Sequence, residues 1–135
     1  MFFGVMPLNP HYIVGITEWG GSFTYSRSKG GVTLYFGIKS SDRDYTLLLK
    51  VRDYFSVGKV YRGGGKQDRW AYYRVNRLGD LIKIVNHFER YPLLGMKQHA
   101  FAIWKGMVDC KRRKLPADKK RISDFAEKLS RFSRG

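Results

Sequence analysis

Four stretches of the chain alternate hydroxyl, basic and aromatic residues with apolar ones. Side chains of these types can contact phosphates and bases. Along Ser22–Ser28, Val32–Lys39, Gly58–Arg62 and Trp70–Asn76 the period is two, so each stretch is predicted to be a strand with two unlike faces. Phe23, Tyr25, Leu34, Phe36, Ile38, Val60, Tyr73 and Val75 fall on one face. Ser22, Thr24, Ser26, Ser28, Thr33, Tyr35, Lys39, Lys59, Tyr61, Tyr72, Arg74 and Asn76 fall on the other. Hydroxyls and amides contact phosphates or bases, and Arg and Lys offset backbone charge. Tyr35, Tyr61 and Tyr72 offer flat rings for unpaired bases, as in RNA readers. A solvated sheet face with scattered tyrosines is the plainer account of the same residues. Metal chemistry has no cluster to start from. His11, His87 and His99 are far apart in sequence, and Cys110 is alone, which excludes a cysteine zinc site or a disulfide framework. His87 and His99 read as polar helix-face residues.

The charge balance points the same way. The 135 residues carry 26 Lys and Arg against 11 acids, a net charge of +15. Self-repulsion at that level weakens a compact state unless a polyanion screens it. Neutralising phosphates releases counterions and drives affinity, so a nucleic acid is the expected partner. A membrane surface fits less well, because the cations are spread over strands and loops instead of one amphipathic helix. No window approaches the ~20 apolar residues of a membrane span. The first residues resemble neither a transit peptide nor a secretory signal, so the protein is expected to work where it is made or to be shown in its mature form. Arg112 and Arg113, then Lys119, Lys120 and Arg121, are expected to add sequence-blind phosphate contacts, with an ordinary charged face as the alternative.

Turn and cap signals set the elements between these strands. Asn9 with Pro10 predicts a helix start, and Gly20-Gly21 its end. Lys29-Gly30-Gly31 predicts a hairpin turn. Asp42–Phe55 has helical spacing, capped by Ser41 or Asp42. Gly63–Asp68 reads as a loop between the second pair of strands. Helices follow over 78–88 and 94–108. A last amphipathic helix, opened by Pro116 and Ala117, carries Ile122, Phe125, Ala126, Leu129 and Phe132 as its stripe. The order predicts an α+β domain with a four-stranded antiparallel sheet. Residues 1–110 form the expected nucleic-acid-binding domain, and 111–135 a basic C-terminal helical extension.

The run Tyr12-Ile13-Val14-Gly15-Ile16-Thr17-Glu18-Trp19-Gly20-Gly21-Ser22-Phe23 resembles the signature helix of LAGLIDADG homing endonucleases. Phe36-Gly37-Ile38 leading into Asp42–Leu48, Tyr54–Val60, His87–Leu93 and Lys97–Trp104 follow in family order and spacing, so the resemblance covers roughly residues 10–108. It implies an αββαββα saddle whose sheet curves over the major groove, with the signature helix packed on that of a second domain. It also implies divalent metal held at the scissile phosphates by the last acid of the signature. Family members cleave DNA, and some are intron maturases that bind RNA.

This chain departs from the family at three points. Glycine stands at position 20, where the resemblance places the metal-binding acid. The first acid, Glu18, lies about 200° away around a helix and is not a simple substitute. Trp19 stands where the family has a small residue that lets two helices approach; two indoles there argue against a symmetric homodimer. Lys97 matches a family active-site lysine and serves equally as a phosphate contact. Ser40 and Asp44 fall at supporting polar and basic positions, and Asp44 reads as a cap or pairing residue of the second helix. No catalytic residue and no cofactor is expected, with Mg²⁺ needed only if endonuclease activity survives.

Three functions remain open. The first is a non-catalytic protein binding structured RNA, ribosomal or intronic, favoured by short side chains at Ser26, Ser28 and Gly37 where duplex readout needs long ones. The second is a dimeric Mg²⁺-dependent DNA homing endonuclease, and the third a sequence-specific DNA-binding repressor. The resemblance to intron-encoded proteins makes a mitochondrial location the expectation, a cytoplasmic one the alternative, and secretion excluded.

Overall fold

Helix α1 (Pro10–Gly20) begins where the Asn9 side chain accepts the His11 backbone N–H at 2.7 Å, with Pro10 in the first turn. That satisfies one orphan donor of the helix start. The computed structural model describes residues 8–29, 31–114 and 118–134. From Gly21 the chain runs extended as β1 (Gly21–Ser28) and returns as β2 (Gly31–Ser41). Gly31 has φ +118°, a conformation that favours glycine and closes the hairpin. A short 3-10 turn (Asp42–Asp44) leads into α2 (Tyr45–Phe55). Next come β3 (Lys59–Gly63), β4 (Trp70–Val75), α3 (Leu78–Arg90), α4 (Lys97–Arg113) and α5 (Asp118–Arg134). The strands form one antiparallel sheet in the order β1-β2-β4-β3. The chain is therefore α+β with a four-stranded antiparallel sheet, as its hydrophobic period predicts.

The boundaries of α2 and α4 differ from expectation for local reasons. Ser41 accepts the Arg43 N–H at 3.2 Å, which caps a 3-10 turn and delays α2 to Tyr45. α4 begins at Lys97 instead of 94, because the Leu94 and Gly95 amides are turned toward Glu18. It runs on to Arg113 and stops at Lys114, whose φ of 55° is left-handed. Pro116 and Ala117 lie outside the described residues.

The predicted apolar strand face is the covered one. Phe23, Leu34, Phe36, Ile38, Tyr73 and Val75 are buried against the helices, with Leu48, Val51, Leu81, Ile84, Phe88, Phe101, Trp104 and Met107 opposite. Trp104 satisfies its indole N–H on the Thr24 carbonyl at 3.0 Å, which fixes α4 along β1. α5 lies on α4 through Ala126 and Leu129, both buried. Gly106 permits this approach, since a Cβ there would stand 2.9 Å from the Phe125 ring. The Tyr25 hydroxyl also bonds the Ser130 hydroxyl, tying β1 to α5.

His87 is not a solvent-facing helix residue, contrary to expectation. It is half-buried in a ring cluster with Phe55, Phe88 and Tyr91, and its Nε2 lies 2.9 Å from the Tyr54 hydroxyl. Nδ1 is buried and has no partner. Burial, and then the charge of nearby His11, push its pKa down to about 4. The unfolded value is about 6.5, so folding is opposed wherever the unfolded chain holds the extra proton. Stability is expected to be full above pH 6.5 and to fall as pH drops from 6.5 toward 4. A denaturant midpoint measured across this range checks it. His87→Gln should flatten the dependence, and an unchanged slope in that variant would remove His87 as its cause.

Candidate nucleic-acid interface

Strand register brings the predicted polar face together in rows across the sheet. Ser22, Gly37, Arg74 and Lys59 make one row, and Lys39, Tyr72 and Tyr61 another. Thr24 pairs with Tyr35, and Ser26 with Thr33. Among the described residues no helix covers this face. Ser22, Ser26, Ser28, Thr33, Lys39, Lys59, Tyr61 and Asn76 are exposed, and Thr24, Tyr35, Tyr72 and Arg74 half-buried.

Part of the face deepens into a cavity of about 550 Å³. It collects Ser22, Thr24, Tyr35, Lys39 and Tyr72 with Lys97 of α4. Ser26, Ser28, Thr33, Lys59, Tyr61, Arg74 and Asn76 lie around it, outside its lining. Trp70 also lines it and was absent from the predicted set. Its place two residues before Tyr72 in the same strand was the available signal. The Lys39 ammonium sits 5.7 Å from the Trp70 ring, and the Arg74 guanidinium 4.4 Å over the Tyr35 ring. Such contacts hold a flat ring and a cation side by side. Gly37 has a packing role that its short side chain did not announce. A Cβ there would fall 2.3 Å from the Tyr72 hydroxyl, so the tyrosine lies across the glycine. Burial, followed by the neighbouring Tyr35, raises the Tyr72 pKa, which keeps its hydroxyl protonated. None of the lining residues is acidic.

The basic tail separates into two groups. Arg113 is engaged by Asp118 at 3.1 Å and by Asp109 at 3.8 Å, and Arg121 lies 3.9 Å from the same Asp118. Arg112, Lys119 and Lys120 are exposed. None of the five lines the cavity of the open face.

At the end of α1 the residues singled out for chemistry converge. Gly20, Lys39, Ser40 and Asp44 border one hollow. The Glu18 carboxylate turns elsewhere. One of its oxygens accepts the Leu94 N–H at 2.8 Å and the Gly95 N–H at 3.0 Å, while Lys97 reaches the Glu18 carbonyl at 3.3 Å. Glu18 thus closes the turn ahead of α4, a role invisible in sequence because its partners lie 76 and 77 residues away. Asp44 accepts the Ser40 hydroxyl at 2.6 Å, so it bonds the end of β2, and its side chain makes no cap hydrogen bond to α2, the helix in which it was expected to cap or pair. Among the described residues no group of three His, Cys, Asp or Glu side chains comes together as a metal site. Trp19 is 91% exposed, with Tyr12 at 45% on the same hollow. The indole is therefore not core of this chain.

A family model described as LAGLIDADG endonuclease matches residues 13–108. An uncharacterised 50.9 kDa protein in ND4 intron 1 of Podospora anserina is 32% identical over 110 residues, 75% of this chain and 24% of that protein. The chain spans about a quarter of that relative. The crystal structure of a homing endonuclease, I-TnaI, superposes with a TM-score of 0.80 at 25% identity, covering 96% of this chain and 98% of that one. The meganuclease I-AabMI bound to uncleaved DNA gives a TM-score of 0.80 at 24% identity over 88% of this chain and 44% of that one.

If Glu18 serves the turn, Glu18→Ala leaves two backbone donors without their partner and should cost about 0.5–2 kcal/mol in urea denaturation. Glu18→Gln keeps an acceptor oxygen and should lose less. Equal loss in both variants would assign the effect to something other than acceptance of the two amides.

Proposed function

Because this chain belongs to the LAGLIDADG endonuclease family, we propose that it grips nucleic acid on the open sheet face without cutting it, with structured RNA as ligand. The observation that carries the non-cutting reading is the state of the two signature positions. Position 20 is glycine, and the Glu18 carboxylate is turned to the Leu94 and Gly95 amides, which one of its oxygens accepts. Phosphodiester hydrolysis in this family relies on divalent metal, which needs hard oxygen donors, mostly carboxylates. The hollow beside Gly20 offers Asp44 as its single carboxylate, already bonded to Ser40. That donor set does not fit a catalytic cation.

The preference for RNA rests on the cavity lining. Tyr35, Tyr72 and Trp70 present rings beside Lys39 and Lys97, a combination that suits an unpaired base with its phosphates. Duplex readout by long Asn, Gln and Arg side chains has little to work with along Ser22, Thr24, Ser26 and Ser28. A ribosomal or intron RNA, in mitochondria, is the ligand and setting we favour; for the setting, the Podospora anserina relative is a protein in ND4 intron 1. The 91% exposed indole of Trp19 disfavours a symmetric homodimer through α1, because a tight helix pair would place two indoles together. A DNA-binding reading is supported by the DNA-bound meganuclease of the same fold.

Binding and nicking assays on one preparation separate the readings. Structured RNA carrying unpaired bases is expected to bind more tightly than duplex DNA at equal salt, with no nicking of duplex DNA in Mg²⁺. Tyr35→Ala and Tyr72→Ala should each weaken RNA binding by about 1–3 kcal/mol, the usual worth of a stacked base. Mg²⁺-dependent nicking that Glu18→Gln abolishes would overturn the non-cutting reading. Tighter binding to a defined duplex would overturn the RNA preference.

A further inference from the structure

A second basic site lies away from the cavity, at the tip of the β1–β2 hairpin. Arg27 and Lys29 come from that hairpin, Lys111 from the last turn of α4, and Lys119 from the first turn of α5. With Ser28 and Ser123 they line a cleft of about 430 Å³ whose lining contains no acid. None of the four cations makes an ion pair among the described residues. Asp118, next to Lys119 in sequence, is 2% exposed and turned to Arg113 and Arg121. Four like charges gathered round one cleft repel each other unless an anion enters.

The walls of the cleft are held in place. Trp104 bonds the Thr24 carbonyl, and Tyr25 bonds Ser130, so α4 and α5 are both pinned to β1. The Arg27 guanidinium rests 5.7 Å from the Tyr25 ring. Ser28 belongs both to the cleft and to the open sheet face. A polyanion crossing that face and leaving past the hairpin tip therefore meets the four cations next.

We propose that this cleft binds the phosphodiester backbone of a nucleic acid strand where it leaves the open sheet face. The inference rests on the open face being the nucleic-acid surface. It adds a sequence-blind clamp built from the β1–β2 hairpin, α4 and α5, and it makes α5 part of the binding surface.

Salt dependence tests it with single-stranded poly(U) as probe. Each phosphate neutralised by a Lys or Arg adds about 0.7 to the magnitude of the slope of log affinity against log salt on a single strand, and removing that cation takes it away. Lys111→Gln with Lys119→Gln should therefore lower that magnitude by about 1.4, and Arg27→Gln with Lys29→Gln by a similar amount. Lys50→Gln with Lys83→Gln removes the same charge from exposed positions on α2 and α3 and should leave the slope nearly unchanged. A slope unchanged in both cleft pairs, or lowered equally by the Lys50/Lys83 pair, overturns the proposal. Thermal melting of each variant identifies any that fails to fold, and the other cleft pair then decides. Tyr35→Ala with Tyr72→Ala reports separately on the sheet face, since it should reduce affinity at every salt concentration without changing the slope. Loss of the aromatic effect with the lysine effect intact would sink the stacking reading and leave the cleft standing.

Discussion

The open face is available because the opposite face is sealed, and Phe23 sits at the centre of that seal. Its ring lies 5.2 Å from Phe36, 5.4 Å from Phe88, 5.2 Å from Phe101 and 5.3 Å from Trp104. One side chain of β1 thus joins the neighbouring strand to α3 and to α4. Aromatic pairs in such tilted and edge-on geometries contribute about 0.5–1.5 kcal/mol each beyond their buried area. With every large apolar residue of β1 and β2 drawn to that side, period two leaves hydroxyls, lysines and tyrosines on the other. A register slip of one residue would put Phe23 in water and Thr24 in the core. The binding surface and the core are therefore two readings of a single register.

Charge placement follows the same division. Several of the acids are spent on the helices and their connections. Asp118 takes Arg113 and Arg121, Glu89 takes Lys105, and Asp42 takes Arg62. The Arg62 hydrogen bond holds the Asp42 pKa below the usual carboxylate range, so this pair stays charged at neutral pH and anchors the edge strand to the turn before α2. The cavity on the open face and the hairpin-tip cleft have no acid in their linings. Lys39 and Lys97 line the first and Arg27, Lys29, Lys111 and Lys119 the second, so part of the net charge of +15 lies where an anion can screen it, which eases the self-repulsion that such a balance brings.

How much of this was legible in the sequence depended on the distance over which each effect acts. Strand faces were legible because alternation is local. Phe23 and Thr24 declare opposite sides without reference to anything else. Asn9 as a cap was legible for the same reason, since its partner is two residues on. The role of Glu18 was not, because its partners are brought in by the fold of the whole chain. His87 looked like a polar helix residue, and its burial is created by Tyr54 and Phe55 on a helix three elements earlier. The tail read as one basic run. Only the packing of α5 on α4 separates Arg113, held by Asp118, from Lys111 and Lys119, which turn to a cleft with Arg27 and Lys29.

Gly20 and Gly21 stand side by side and answer to different constraints. A Cβ on Gly21 would lie 2.6 Å from the Thr17 methyl and 2.8 Å from the Thr17 carbonyl, a clash with the helix it terminates. Glycine there is a requirement of the fold. A Cβ on Gly20 would meet the Lys39 carbonyl at 3.2 Å and the Ile38 side chain at 3.7 Å, and its φ is not in the left-handed region. A shift of a few tenths of an ångström would admit a side chain. Neither backbone conformation nor space therefore demands glycine at position 20, and the fold does not depend on it. The consequence is electrostatic. A carboxylate at this point would stand against the Lys39 carbonyl and the approaching phosphates, and would need a cation between them. Gly20 borders the hollow beside the cavity, and Lys39 lines both. With glycine at position 20, an anion that reaches Lys39 meets no carboxylate from that position, and this is the electrostatic basis of the non-cutting reading proposed for the chain.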